Sequence, residues 1–145
     1  MPGREEQIRP ARLEDADGVW PLARDFATSF TPDRTTFHGT WNGLIGSPGS
    51  LLLVAEAGKD NIVGYLLGNS HLSFFANGPV AWVEEVMVEQ SSRRAGIGRC
   101  LMEHAESWAR STGAAYLALA SRRAGSFYIA LGYEDSAVFY KKNLD

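Results

Sequence analysis

The sequence of 145 residues contains a single cysteine, Cys100, which excludes an internal disulfide and is typical of a protein from a reducing compartment. No apolar run approaches the ~20 residues that a membrane-spanning helix needs. The N-terminal residues 1–7 are charged and lack the apolar centre of a secretory signal. Charge of neither sign dominates, since the formal net charge is −3. We therefore expect a cytoplasmic protein whose partners are neither nucleic acids nor membranes.

What the sequence does contain is the composition of an ordinary globular protein, with 45% hydrophobic and 21% charged residues. The length suffices for a hydrophobic core, and neither repeats nor low-complexity tracts interrupt the chain. We expect one domain over residues 1–145. The three histidines, at positions 38, 71 and 104, lack the spacing of metal ligands, so no metal site is predicted.

Hydrophobic periodicity predicts an α/β fold with a mixed, mostly antiparallel twisted sheet of six or seven strands, flanked by about four helices. Turn signals at 58–61 and 77–78 favour hairpins in the first half of the chain. A strand, a helix and a second strand then predict a parallel pair through a right-handed crossover. Val138, Phe139 and Tyr140 are expected to form the last strand, antiparallel to residues 116–120. The predicted strands cover residues 8–12, 51–57, 62–72, 80–88, 116–120 and 138–140, and the best-defined helix covers 97–111.

The most informative stretch is the junction between strand 80–88 and helix 97–111. Gly96 and Gly98 let the backbone approach a ligand closely, and the helix N-terminus adds unpaired N–H groups and partial positive charge. Three arginines, at positions 93, 94 and 99, surround this turn. Together these features predict an anion site suited to phosphates. The turn is neither a dinucleotide fingerprint, whose third glycine is here Leu101, nor a P-loop.

The same stretch resembles the acyl-CoA-binding core of the GCN5-related N-acetyltransferase (GNAT) family, whose signature is Gln/Arg-x-x-Gly-x-Gly/Ala. Each fixed position is matched by the run Arg93-Arg94-Ala95-Gly96-Ile97-Gly98. A second family element, Ala-x-x-Phe-Tyr-x-x-x-Gly-Phe/Tyr, is matched between Ala124 and Tyr133. Three residues before Ala124 the family often has Asn, and this chain has Ser121. The two motifs cover about the C-terminal half of the chain.

The resemblance implies that acetyl-CoA binds along strand 80–88 and at the turn that follows. In the family, two parallel strands splay apart, and the pantetheine arm pairs with the main chain at the position of Val88. The amide at the position of Val86 faces the thioester carbonyl. The predicted acetyl-CoA-binding residues are Val86, Met87, Val88, Arg93, Arg94, Ala95, Gly96, Ile97, Gly98, Arg99 and Ser121.

Acyl transfer to an amine requires a base, because freeing the lone pair of an alkylamine at neutral pH costs about 4–5 kcal/mol. Glu84 and Glu85 are the candidates, and because side chains alternate along a strand, we expect them to point to opposite faces. The resemblance favours Glu84, because the family's strand commonly carries an acidic residue with a base role there. The alternative is that either carboxylate is an exposed strand residue or a salt-bridge partner.

Tyr128 is the candidate acid, because a phenol can hydrogen-bond or protonate a departing thiolate. Family tyrosines at this place in the Phe-Tyr pair have that role. The alternative is a tyrosine that only packs beside Phe127.

These observations predict an acetyl-CoA-dependent N-acetyltransferase. It would transfer acetyl to a primary amine of a small molecule or peptide, by direct attack in a ternary complex. The alternative is a non-catalytic acyl-CoA-binding sensor of the same fold, which would keep the glycine turn without needing Glu84 or Tyr128. Dimers are common in the family, so a homodimer is also possible.

Overall fold

The computed structural model describes residues 7–93, 95–122 and 124–144. Four α-helices and five strands are found in this part of the chain, and two short 3-10 turns precede α1 and α3. The strands are β1 (Gln7–Pro10), β2 (Ser50–Glu56), β3 (Ile62–Ser73), β4 (Gly78–Val88) and β5 (Leu117–Leu119). The helices are α1 (Ala16–Phe26), α2 (Arg34–Leu44), α3 (Ile97–Ser111) and α4 (Gly125–Ala130).

The strands form one sheet in the order β1-β2-β3-β4-β5. The first three pairings are antiparallel, and β4 and β5 are parallel neighbours joined through α3. The mixed, mostly antiparallel sheet and the four helices are confirmed. The expected strand number is wrong, since the described residues contain five strands rather than six or seven.

The missing strand is the one predicted at residues 138–140. Residues 134–144 have no regular secondary structure, and Val138, Phe139 and Tyr140 are exposed. These side chains favour a strand, but a strand forms only where another strand offers backbone partners. Among the described residues, no backbone hydrogen bond joins this segment to β5. The residues typical of a strand are present, but the described part of the chain contains no strand that pairs with them.

Helices cover both sides of the sheet, and each side has its own core. On the α3 face, the buried residues include Leu66, Val83, Leu101, Met102 and Tyr128. On the α1–α2 face, they include Val19, Trp41, Val54 and Tyr65. The two layers position β4 between them, so that its two faces meet different environments.

A buried ion pair ties β1 to the start of α1. The guanidinium of Arg9 donates to both carboxylate oxygens of Asp15, at 2.8 and 2.9 Å, and its Nε donates to Glu56 at 3.2 Å. Arg9 and Asp15 are both buried. Hydrogen bonding from Arg9 holds the pKa of Asp15 below its ordinary value. This cluster fixes the edge of the sheet opposite to β5.

In the described part of the chain, no helix has the length and apolar character to cross a membrane.

Candidate active site at the open end of strand β4

Strands β4 and β5 pair over only three positions, after which β4 continues alone on that side. The parallel register joins Ala81 to Leu117, Trp82 to Ala118 and Val83 to Leu119. Residues 85–88 pair with β3, and on the side of β5 no strand of the described chain faces them. This stretch of β4 therefore presents an open backbone edge, to which an extended ligand can add like another strand.

The open edge carries the backbone groups of Val86 and Val88. Glu89 donates its N–H to the carbonyl of Val63 on the β3 side. Because backbone groups alternate in direction along an antiparallel strand, those of Val88 and Val86 point away from β3. The Nε of Arg93 donates to the Val88 carbonyl at 3.0 Å, which agrees with this direction. The two residues predicted to meet the pantetheine arm and the thioester thus face the opening.

A β-bulge in β4 decides where the two glutamates point. Leu67 pairs with Glu85 and Gly68 pairs with Val83, so Glu84 is an extra residue without a partner on β3. The bulge is tight, because a Cβ at Gly68 would lie 2.9 Å from the carbonyl oxygen of Trp82. The extra residue shifts the alternation of β4 by one position.

As a result, both glutamates lie on the α1–α2 face. Asn69 donates to Oε1 of Glu84 at 3.3 Å, and Tyr65, in the core of that face, donates to Oε1 of Glu85 at 2.7 Å. Val86 packs on the α3 face, as Val83 does. The prediction that Glu84 and Glu85 point to opposite faces is therefore wrong, because it assumed an unbroken two-residue period.

The two carboxylates differ in their surroundings. Glu84 is exposed, whereas Glu85 is half-buried and accepts its bond from the buried Tyr65. Burial and the adjacent carboxylate raise the pKa of Tyr65 above its ordinary value. The phenol therefore remains protonated and donates to Glu85 over the physiological pH range.

Helix α3 begins at the glycine turn, and the backbone there has the geometry that an anion site requires. Gly96 is the N-cap with φ +82°, a left-handed conformation that favours glycine, and it provides no side chain to cap the helix. Ile97 is buried and anchors the first turn, while Ala95, Gly96 and Arg99 are exposed. The first amides of α3 therefore point at solvent-accessible space. Arg94, also predicted here, lies outside the described residues.

The second motif packs against the first. Tyr128 is buried in the α3-face core, with its ring edge-to-face against Phe127 at 5.0 Å and Tyr133 at 5.9 Å between centroids. A Cβ at Gly98 would lie 3.4 Å from the Phe127 ring, so the glycine admits this close approach. Burial raises the pKa of Tyr128, which keeps its hydroxyl protonated. In the described chain, no protein group hydrogen-bonds to that hydroxyl.

Ser121 lies in the loop that leads into α4. Its hydroxyl oxygen accepts a hydrogen bond from the backbone N–H of Ala124 at 3.0 Å, and the residue is exposed. The hydroxyl proton stays available to a ligand. Its expected contact with acetyl-CoA remains a prediction.

A groove of about 560 Å³ lies between the end of α1 and the segment that follows β4. Met87 and Arg93 form its β4 side, and the Arg93 guanidinium lies 3.7 Å from the Met87 sulfur. The groove thus lies on the α1–α2 side of β4 and extends to Arg93, which precedes the glycine turn in the sequence. Its remaining lining residues are Leu22, Arg24, Asp25, Ala27, Glu89 and Gln90. A molecule in this groove would lie beside Met87, at the end of β4.

Sequence reasoning missed two residues of this site, Tyr65 and Asn69. They alternate with Leu67 on β3, so the two-residue period groups them on one face. Only the pairing register of β3 and β4 shows that this face meets the glutamates. In the described ranges, no group of three or more histidine, cysteine, aspartate and glutamate side chains is placed to hold a metal ion.

A family model described as the acetyltransferase (GNAT) family matches residues 16–133. The chain belongs to the GNAT family. The match extends well upstream of the glycine turn, over the N-terminal half that carries no recognisable motif. The resemblance inferred from the two motifs is thereby confirmed, and the members of this family are acetyltransferases.

Solved structures show how widely this GNAT fold is shared. A glucosamine-6-phosphate N-acetyltransferase from Arabidopsis thaliana superposes with a TM-score of 0.86 at 17% identity, covering 97% of this chain and 99% of that chain. An acetyltransferase from Trypanosoma brucei superposes with a TM-score of 0.83 at 21% identity, and the match covers 97% of this chain and 100% of that chain. The aminoglycoside N-acetyltransferase AAC(6')-Iy in complex with CoA superposes with a TM-score of 0.81 at 16% identity, and the match covers 99% of this chain and 98% of that chain. No curated protein sequence matches this chain. At these identities the likeness establishes the fold of the GNAT protein and leaves its acceptor open.

Proposed function

We propose that this GNAT protein is an acetyl-CoA-dependent N-acetyltransferase. It transfers the acetyl group to a primary amine of a small molecule or peptide, by direct attack in a ternary complex. The observation that carries the proposal is the bulge at Glu84. It places an exposed carboxylate on the α1–α2 face at the point where β4 separates from β5.

The open edge of β4 and the start of α3 fit acetyl-CoA. Val86 and Val88 direct backbone groups into the opening, which suits the amide-containing pantetheine arm. The amides after Gly96, with Arg93 and Arg99 nearby, suit the phosphates. The Arg93 side chain donates to the Val88 carbonyl, so a pantetheine arm that pairs with Val88 would replace this bond.

Glu84 is assigned the role of base. It takes a proton from the acceptor ammonium, directly or through one water, so that the amine loses its proton where it attacks; in bulk water at neutral pH this deprotonation costs about 4–5 kcal/mol. The amine nitrogen then attacks the thioester carbon. The new C–N bond forms as the C–S bond breaks, and the Val86 amide stabilises the negative charge on the carbonyl oxygen.

Tyr128 is assigned the role of acid. Its buried phenol is protonated, and the absence of a protein partner for its hydroxyl among the described residues leaves it able to donate to the leaving sulfur. The thiolate of CoA receives this proton and leaves as the free thiol. The attacking nitrogen loses its second proton to solvent, the phenolate regains a proton from solvent, and Glu84 releases the proton that it took, so the net reaction yields the amide, the free thiol and one proton.

The acceptor would approach from the α1–α2 face, because the glutamates point there. The groove beside Met87 is open to that face and has room for part of a small molecule or a peptide side chain. Its polar lining, from Arg24, Asp25, Glu89 and Gln90, supports a polar acceptor.

The decisive experiment is a panel of primary amines with acetyl-CoA, in which release of free thiol is measured. The proposal expects turnover of at least one amine, with formation of the N-acetyl product by mass spectrometry. Tight binding of acetyl-CoA without turnover of any amine would instead support the acyl-CoA sensor. The control is Glu84→Gln, which preserves shape and removes the base.

A further inference from the structure

The bulge at Glu84 fixes where this side chain leaves the strand, but it does not fix the carboxylate at the end of the side chain. Glu84 is exposed and has no pairing partner on β3. A glutamate side chain rotates about three bonds, and holding it in one rotamer costs free energy. A base must nevertheless lie within hydrogen-bond reach of the proton that it removes. A neighbouring group that holds the carboxylate in place would therefore raise the rate.

Asn69 of β3 is placed to hold this carboxylate. Its side-chain amide donates to Oε1 of Glu84 at 3.3 Å, and among the described residues this is the one side-chain hydrogen bond that Glu84 makes. The register explains the contact, because Asn69 pairs with Trp82 and the bulge brings Glu84 onto the face that carries Asn69. One carboxylate oxygen is thereby held, and the other remains open to an acceptor.

His71 determines which end of the Asn69 amide faces the carboxylate. Its Nδ1 lies 3.4 Å from Oδ1 of Asn69. When Nδ1 carries the ring proton, His71 donates to Oδ1 and so directs the NH2 group of Asn69 toward Glu84. The reversed amide would place its oxygen against the carboxylate, and the two would repel each other. Because residues 69 and 71 lie on one face of β3, all three side chains share the face from which the acceptor would approach.

We propose that Asn69 is a positioning residue for acyl transfer, which holds Glu84 with one oxygen directed at the acceptor amine, and that His71 orients the Asn69 amide. The proposal rests on the proposed function, in which Glu84 is the base. Asn69 takes up and releases no proton in the reaction, so its whole effect on the rate passes through Glu84. This separates it from a residue that only stabilises the pairing of β3 with β4.

The test is a double-mutant cycle on Asn69 and Glu84, measured with an amine that the wild type acetylates. Asn69→Leu keeps the approximate size of the side chain and removes the donor. It should lower kcat roughly 10-fold, with little change in the KM for acetyl-CoA. The melting temperature should also change little, because an exposed hydrogen bond of this length adds little to stability. Added to Glu84→Gln, the same substitution should lower kcat no further.

The outcomes separate this proposal from the assignment of the base. A slow Glu84→Gln variant together with a wild-type kcat for Asn69→Leu would overturn the positioning role alone. Losses that multiply in the double variant would do the same, because they would show that Asn69 acts independently of Glu84. A wild-type kcat for Glu84→Gln, or no turnover of any amine by the wild type, would refute the role of the base and this proposal with it.

The matched control is Asn61→Leu. Asn61 also makes an exposed side-chain hydrogen bond, to the carbonyl of Ala57 at 3.0 Å, but it lies in the connection between β2 and β3. This variant should keep the wild-type kcat. A loss equal to that of Asn69→Leu would show that the rate responds to any such substitution, and would overturn the proposal.

His71→Leu tests the orientation of the amide. This variant should lower kcat by less than Asn69→Leu does, because the Asn69 amide can still reach Glu84 in part of the molecules. In the background of Asn69→Leu it should have no effect. A loss that persists in that background would show that His71 acts by another route, and would overturn the role assigned to it.

Discussion

The hydroxyl of Tyr65 donates a 2.7 Å hydrogen bond to Oε1 of Glu85, across the two strands that carry the bulge. This bond occupies one oxygen of Glu85 with a donor that stays protonated, because the pKa of Tyr65 is raised by its burial. Glu84 has only the longer, exposed contact from Asn69 at 3.3 Å. Of the two adjacent carboxylates on this face, Glu84 thus has the weaker hydrogen bond to the protein and is the more accessible to an acceptor amine.

The first prediction compares the two glutamates. Glu84→Gln should lower kcat/KM roughly 100-fold or more near neutral pH, in the range of general base catalysis. Activity should recover partly as the pH rises, because solvent then deprotonates the amine. Glu85→Gln should change the rate much less at every pH. The measurement is a pH–rate profile of both variants, and equal losses would contradict the assignment of Glu84.

The second prediction concerns Tyr128. Tyr128→Phe keeps the ring packing against Phe127 and Tyr133 and removes only the hydroxyl. Turnover should fall roughly 10- to 1000-fold, with a much smaller change in acetyl-CoA affinity.

A matched experiment uses a thioester with a more acidic thiol, which needs less protonation as it leaves. The deficit of Tyr128→Phe should narrow with this donor. If turnover is equal in wild type and variant while chemistry limits the rate, Tyr128 has no part in the mechanism.

The third prediction concerns the phosphate site. Acetyl-CoA should raise the melting temperature of the wild type by mass action. Gly96→Asp should abolish this shift, because a carboxylate at the N-cap of α3 would repel the phosphates. Gly96→Asn is the control of the same shape, and asparagine tolerates the left-handed conformation at φ +82°. The asparagine variant should keep most of the shift. If both variants lose it equally, space rather than charge determines binding at this turn.

The fourth prediction concerns stability in acid. Because hydrogen bonding from Arg9 lowers the pKa of Asp15 in the folded state, this carboxylate contributes stability above its unfolded pKa of about 4. That contribution should be lost as the pH falls through the lower, folded value. Asp15→Asn should cost about 1.5–3 kcal/mol of unfolding free energy at neutral pH, since the buried Arg9 then keeps only Glu56 as a charged partner. It should also flatten the decline in stability at acidic pH.

The control for Asp15 is Asp25→Asn, which removes the exposed ion pair with Arg24 and should cost about 1 kcal/mol or less. Urea unfolding between pH 3 and 7 provides the measurement. A variant Asp15→Asn as stable as Asp25→Asn would show that the Arg9 cluster adds little to the fold.

The sequence by itself determined the features that depend on neighbours in the chain. The strands β2, β3 and β4 were predictable from apolar and β-branched runs bounded by turn signals, and α3 was predictable from its helical period, because each of these patterns covers several neighbouring residues. The anion site at Gly96 was also predictable from the sequence, because turn geometry and helix polarity depend only on residues that are close together in the chain. These features predicted the α/β fold and the phosphate turn.

Only the tertiary structure decided the direction of Glu84 and Glu85 and the place of the C-terminal segment. The bulge depends on how β3 and β4 align, and the close approach of Gly68 to Trp82 takes part in that alignment. A strand at residues 138–140 depends on whether an edge is within reach of the segment. Both outcomes depend on contacts between residues that are far apart in the chain. A local sequence pattern does not determine which strand edges pair with each other.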